Sequence, residues 1–255
     1  MPRFVLFAAA LAVVVALASR GAAQGMLSGV DLTGPAFVTA ELSRAQIEER
    51  IARGGRVDLF DKSLNGLDLS GLDLAGANLR AARLNHANLR DANLSGATLD
   101  QAWMFGADLS GANLSGARMF GTQALGAKFN GSNFLRARLA GDFSGASFKG
   151  ADLSGADASA DMRNQSMGLM HAVMRSADLS GAKAIKADFS RVDLRFANLA
   201  KADFSGADLF RADASGADLR GARFSGAKTD EMDVEGARMD ADIKGAIHLD
   251  RARRD

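Results

Sequence analysis

Residues able to do chemistry are few in this chain and poorly spaced for it. None of the three histidines, His86, His171 and His248, lies within metal-ligand spacing of another. With no cysteine anywhere, a zinc site would need distant carboxylates, and neither a thiol nucleophile nor a disulfide framework can form. The strand-to-helix nucleophile word G-x-S-x-G does not occur. Gly226-Ala227-Lys228-Thr229 lacks the adjacent Gly-Lys of a phosphate loop. Aspartate is abundant, yet it recurs every five residues and never in the compact D-x-D-x-D spacing of a calcium loop. A non-enzymatic protein without cofactor or metal is the expectation.

The chain has 255 residues, 47% of them hydrophobic, with a formal charge of +1, Gly 28, Pro 2 and Tyr 0. That apolar content can bury a continuous core, and the near-zero charge gives no bulk attraction to nucleic acid. At the N-terminus, Phe4 to Ala18 is a run without a polar side chain behind Arg3. A membrane-spanning helix needs about 20 apolar residues, so the run fits the core of a secretory signal peptide better than a permanent anchor. Small residues at Ala16/Ala18 and Gly21/Ala23 allow cleavage after Ala18 or Ala23. Residues 1–23 are taken as the signal, with no stable membrane anchor after cleavage and a periplasmic or secreted destination.

Residues 24–56 are read as an N-terminal segment containing one helix, about 44–53. Ser43 and Gln46 form a capping box, Leu42 and Ile47 a hydrophobic staple, and Gly54-Gly55 a stop. Ile47 and Ile51, four apart, supply its apolar face. From Leu59 the pattern becomes a period of five, with Leu, Met, Phe or Ala at the centre through Leu139 for seventeen consecutive units. Ala usually stands two before the centre and Asp or Asn one before, and Ser-Gly often follows. Five residues advance an α-helix by about 140° net, and an odd period defeats β-alternation. A chain turning one corner per unit resolves both.

The recurring word A-[DN]-L-S-G, over about residues 57–250, resembles the pentapeptide-repeat family. The resemblance implies an all-β solenoid, a right-handed quadrilateral β-helix with four pentapeptides per coil, here with a short capping helix in front. The centres, among them Leu69, Leu89, Leu109, Phe129, Leu179 and Phe204, would point inward with the alanines. Some members imitate duplex DNA and bind type II topoisomerases. Against that activity, Lys and Arg nearly match Asp and Glu, 8 to 7 over 57–141 and 17 to 19 over 142–255.

The register falters over about 140–168, read as a bulge or bend between two regular blocks of one continuous solenoid. Regular fives are expected to resume from Leu169. Counting 20 residues per coil gives a column Asp73, Asn93, Asn113, Asn133, Asp152, Val173, Asp193, Asp213, Asp233. Its asparagines can share hydrogen bonds, whereas stacked aspartates need cations or arginines such as Arg175 and Arg195 between them. Trp103, Phe105, Phe120 and Leu125 break the polar outer pattern and are the candidate partner-binding patch, unless residues 24–56 or 160–170 fold over them. Phe196 and Phe210 form a weaker second set. The expected partner is a protein of the cell envelope, not nucleic acid. The charged tail 251–255 either folds back as a cap or lets Ile247 and Leu249 join a second copy in a two-fold dimer.

The register makes a direct prediction. Leu109→Ala should cost about 2–5 kcal/mol in a denaturant melt, through lost transfer energy and a cavity. Asp108→Ser, one residue away but outward, should cost about 0.5 kcal/mol or less. The reverse ranking would show that the inward position has been misassigned.

Overall fold

The computed structural model describes residues 39–160 and 170–240. The N-terminal apolar run with its cleavage sites, residues 161–169 including Leu169, and the tail with Ile247, His248 and Leu249 lie outside the described residues.

Outside two irregular places, the residue before each centre pairs in parallel with the residue 20 positions on. Side 1 begins Asp58, Asn78, Thr98, Arg118, and side 2 Ser63, Arg83, Trp103, Gln123. Side 3 begins Asp68, Asn88, Asp108, Lys128, and side 4 Asp73, Asn93, Asn113, Asn133. Four sides of one pentapeptide each therefore close a coil. The bonds between coils are uniform: Leu89 N–H donates to the Asp108 carbonyl at 2.7 Å, and Asp108 N–H to the Ala87 carbonyl at 2.9 Å.

Every position of the repeat has a physical task in this frame. At the corner after Leu109, the Ala112 N–H donates to the Leu109 carbonyl at 3.0 Å. The third residue of that turn, Gly111, has φ +73°, where a type II turn requires a positive φ. The preceding Asp108 pins the same corner, its Oδ1 accepting the Ser110 N–H at 3.0 Å and the Ser110 hydroxyl at 2.6 Å. Asn93 with Ser95 and Asp213 with Ser215 repeat this Asx arrangement. Asp108 is therefore not a free surface residue, and Asp108→Ser is revised to about 1 kcal/mol, one hydrogen-bonded site, still well below Leu109→Ala.

The core runs along the axis. Leu69, Leu89, Leu109, Phe129, Leu179 and Phe204 are all fully buried, as are the alanines two before the last five, while Leu67, two before Leu69, is partly buried. Where the side 2 centre shrinks to Ala124, its coil gains Phe129 and Phe134, whose rings pack 5.3 Å apart. Phe129 also stacks on Phe148 of the next coil at 4.8 Å. Large and small centres thus offset each other within a coil.

The expected distortion over 140–168 is narrower than that range. Residues 143–158 keep regular fives, and the irregularity is two separate events. The first is the loss of one residue between Leu139 and Phe143, taken up by strands β1 (Arg118–Gln123) and β2 (Arg138–Asp142). They pair in parallel with a register shift between Phe120 and Thr122. The second is an insertion. Asp142 pairs with Val173, 31 positions on, and the chain leaves the coil at Ala158 and rejoins at Ala172, whose N–H donates to the Ala158 carbonyl at 3.1 Å. Among the described residues the regular register is in place again at Met174. Pairing continues across both events, and both blocks belong to one unit, Pro35–Asp255.

The helix predicted over about 44–53 is α1 (Arg44–Ala52), with both halves of the Ser43–Gln46 capping box formed. Ile47 is fully buried, and Leu42 and Ile51 pack against the core. Among the described residues no coil precedes the first one, so its outward carbonyls need donors from elsewhere. Arg50 Nη1 donates to the Asp58 carbonyl at 2.8 Å. Glu41 N–H donates to Ser63 at 2.8 Å. Arg44 donates to Asp68 at 3.0 Å and Ser70 at 3.1 Å. Apolar cover and replacement donors together make α1 a cap.

At the one-residue deletion, a Cβ on Gly141 would stand 2.3 Å from the Thr122 carbonyl oxygen and 2.8 Å from its nitrogen. Neither backbone atom can yield cheaply. Gly141→Ala should cost about 3 kcal/mol or more by clash, whereas Gly116→Ala, at φ +65° with open space, should cost about 1–2 kcal/mol from the left-handed backbone alone. Equal losses in chemical denaturation would show that Gly141 is not a close-approach site.

Candidate functional site

Side 2 holds most of the residues singled out for contact. Trp103 and Phe105 flank the buried centre Met104, so both side chains leave the same side. Their rings meet edge to face, centroids 5.6 Å apart and planes at 82°. Leu125 follows Phe105 one coil on, its carbonyl accepting the Gly106 N–H at 3.1 Å. Phe120 stands across the corner on side 1.

All four side chains are half-buried, between the bare patch and the covered one that the sequence left open. Their backbones are pinned from the preceding coil, Asn85 Oδ1 accepting the Phe105 N–H and Asp100 Oδ1 the Phe120 N–H, each at 3.0 Å. Met170, two residues before the chain rejoins the coil at Ala172, also reaches the corner between Phe120 and Gln123. Its Cε would lie 3.9 Å from a Cβ on Gly121. The N-terminal segment lies two coils away, where the Ser63 hydroxyl donates to the Thr39 carbonyl and Arg83 pairs with Glu41 at 2.9 Å. Two buried donors without an oxygen partner, Arg83 Nε and Asn85 Nδ2, sit on this side next to the Trp103–Phe105 coil. The second set does not assemble: Phe196 is at the corner between sides 2 and 3, while Phe210 lies on side 1 under Arg191 and Arg211. Among the described residues, no group of three or more His, Asp or Glu could hold a metal ion.

A family model for pentapeptide repeats matches in eight copies, over 63–101, 73–111, 105–136, 126–160 and 187–226. This chain belongs to the pentapeptide-repeat family. No curated protein matches it closely enough to count. Among solved structures it is similar to a trypsin-treated variant of QnrB1, a plasmid-mediated fluoroquinolone resistance protein. The identity is 20%, the match covers 79% of this chain and 86% of that one, and the TM-score is 0.56. That likeness shows the fold. HetL, a pentapeptide repeat protein involved in heterocyst differentiation regulation in the cyanobacterium Nostoc sp. strain PCC 7120, is 28% identical over 84% of this chain and 95% of its own, with a TM-score of 0.42.

Within this pentapeptide-repeat solenoid the column read from the sequence is two columns. On side 4, Asp152 is followed by Lys183, Asp203 and Arg223. Val173, Asp193, Asp213 and Asp233 belong to side 2, because the insertion lengthens one coil from 20 residues to 31 and counting by 20 then lands two sides away. The asparagine ladder exists, Asn93 Nδ2 donating to Asp73 at 2.9 Å and Asn113 to Asn93 at 3.3 Å. Arginines do separate part of the aspartate stack: Asp193 contacts Arg175 at 2.5 Å and Arg195 at 2.8 Å. Burial pushes the Asp193 carboxyl up despite both guanidinium groups. The Arg220 guanidinium, hydrogen-bonded to Asp218, holds that carboxyl at about 2. Asp68 and Asp203 are also lowered, Asp68 chiefly by its bonds from Ser70, Asp203 by those from Ser205 against the opposing effect of burial. Sequence reasoning missed this corner role, although Asp or Asn two before a Ser is an Asx-turn signal.

Carboxyls lowered in the folded state stabilise it fully above their unfolded range, near pH 4, and lose that effect as pH falls through the folded values. Thermal melts should be flat above about pH 5 and drop steeply between about pH 4 and 2. A midpoint that rises on acidification over that window would contradict the corner assignments.

Proposed function

We propose that this protein is an exported, non-enzymatic scaffold that binds a protein partner in the cell envelope through the Trp103, Phe105, Phe120 and Leu125 surface. One observation carries the reading. The departures from small polar outer residues that cluster on the described solenoid are apolar and aromatic, which is contact chemistry rather than reaction chemistry. The half-buried state of three aromatic side chains and a leucine, with Met170 at the Gly121 corner next to Phe120, favours a partner that completes an apolar contact already half made. Export rests on the Phe4–Ala18 run behind Arg3.

A second reading, interference with or protection of a type II topoisomerase, is favoured by the likeness to QnrB1. Against it stands the charge pattern. Acidic side chains here alternate with basic ones and pair with them, as in Arg83–Asp61 at 2.9 Å, Arg118–Asp100 at 2.9 Å and Arg138–Asp157 at 2.6 Å. A duplex imitator needs a continuous negative rod.

Fractionation of cells carrying a C-terminally tagged chain, with N-terminal sequencing, should place a processed protein beginning near residue 24 outside the cytosol. Trp103 is the sole tryptophan, so its emission should shift when envelope extract is titrated, and Leu125→Arg should abolish the shift. Full-length chain in the cytosol, or altered supercoiling by a topoisomerase at about micromolar protein, a concentration matched to ordinary specific binding, would favour the second reading.

A further inference from the structure

We propose that the corner at Phe196 docks a cationic polypeptide segment carrying an apolar anchor, a second contact independent of the side 2 aromatic patch and of the compartment. Phe196 has φ +58°, a conformation rare for a bulky residue, and it is 68% exposed. Glycine occupies the same corner in most other coils, including Gly106, Gly126, Gly216 and Gly236. A phenylalanine here gives the turn nothing that glycine would not give. Phe60, the other exposed large apolar side chain among the described residues, is sheltered by the Arg80 guanidinium 5.1 Å over its ring. No ring or guanidinium contact to Phe196 is found among the described residues.

The next two coils make a ledge for a ligand. The Phe196 ring lies along Gly216, where a Cβ would stand 2.5 Å from Cδ1 and 2.7 Å from Cε1. One coil further, Gly236 has nothing within 4 Å of its Cβ position. The ledge is bordered by acid. Gly216 N–H donates to the Glu235 carbonyl at 2.7 Å, which places exposed Glu235 beside it. Asp213 and Asp233 face each other in register on the same side. Arg195 reaches Asp213 at 3.4 Å, but among the described residues no cation pairs with Asp233 or Glu235. Like charges directly opposed across a β pair repel, and a cationic side chain from outside would relieve them. An exposed ring, a smooth ledge and an unneutralised acidic border fit an apolar side chain flanked by Lys or Arg. The same border repels nucleic acid and anionic lipid.

Two measurements test this on the full chain. Phe196→Gly should leave the thermal midpoint unchanged or raised, since the turn prefers glycine; a clear fall would make the ring part of the fold and overturn the proposal. A fluorescently labelled lysine–leucine peptide, titrated at low salt, should bind the wild type, with affinity falling about tenfold in Phe196→Gly and again in the Asp233→Asn/Glu235→Gln pair. A glutamate–leucine peptide of equal length should not bind. Absence of binding to the wild type, equal binding by the variants, or equal binding of the acidic peptide would each refute it.

Discussion

Parallel backbone pairing at a 20-residue interval is the constraint on which the rest of this molecule depends. Each centre donates its N–H to the following coil and each residue before a centre donates to the preceding one, so every side must begin at the same height in every coil. A side has room for little more than three extended residues before the chain turns. That leaves two inward positions per unit, and the apolar core is built from them alone. The turn forces a positive φ once per unit, and the aspartate or asparagine before the centre fastens it. The five-letter word is thus the solution to one hydrogen-bonding problem repeated along the chain.

The same constraint decides where irregularity is tolerated. Removing a residue from a side brings two backbones together, and only a residue without a Cβ fits at Gly141. Adding residues costs less, provided they leave and return at a corner, because the paired sides on either hand are undisturbed. The insertion does this, leaving at Ala158 and returning at Ala172. At the N-terminal end, pairing would leave carbonyls without donors, and α1 and the residues before it answer with two arginines and a backbone N–H. The helix is therefore a chemical substitute for a missing coil as well as an apolar lid.

Much of this was legible in the sequence because inward positions are apolar with few exceptions, among them Thr122, Ser132 and Thr229. The period of five, the centres from Leu59 to Leu139 and the capping box of α1 all follow from residue type and spacing. The column assignments after Asp152 did not, because counting by 20 presumes that no coil gains residues, and the four pairings across the insertion each span 31. The exposure of Trp103, Phe105, Phe120 and Leu125 could not be read from the spacing either, which left a bare and a covered patch open. Outward position in a repeat says which way a side chain leaves the backbone, not what stands over it, and nothing in the local spacing brings Met170 to Gly121. Phe196 escaped emphasis for the opposite reason. Its place in the turn, where glycine is the norm, becomes unusual only once the backbone angle is known.

These placements tie the insertion to the aromatic patch. The insertion leaves the solenoid at the corner between sides 1 and 2, and that corner, two coils earlier, is Gly121, flanked by Phe120 on one side and Gln123 on the other. Met170 returns along it, so the half-buried state of the patch depends in part on residues distant in sequence. A partner meeting Trp103 and Phe105 would then meet the returning end of the insertion as well. The proposed contact surface would be composite, with a floor set by backbone pairing and a rim that includes Met170. Affinity would reside in the floor, where the aromatic rings are prepositioned at little entropic cost, and selectivity in the rim.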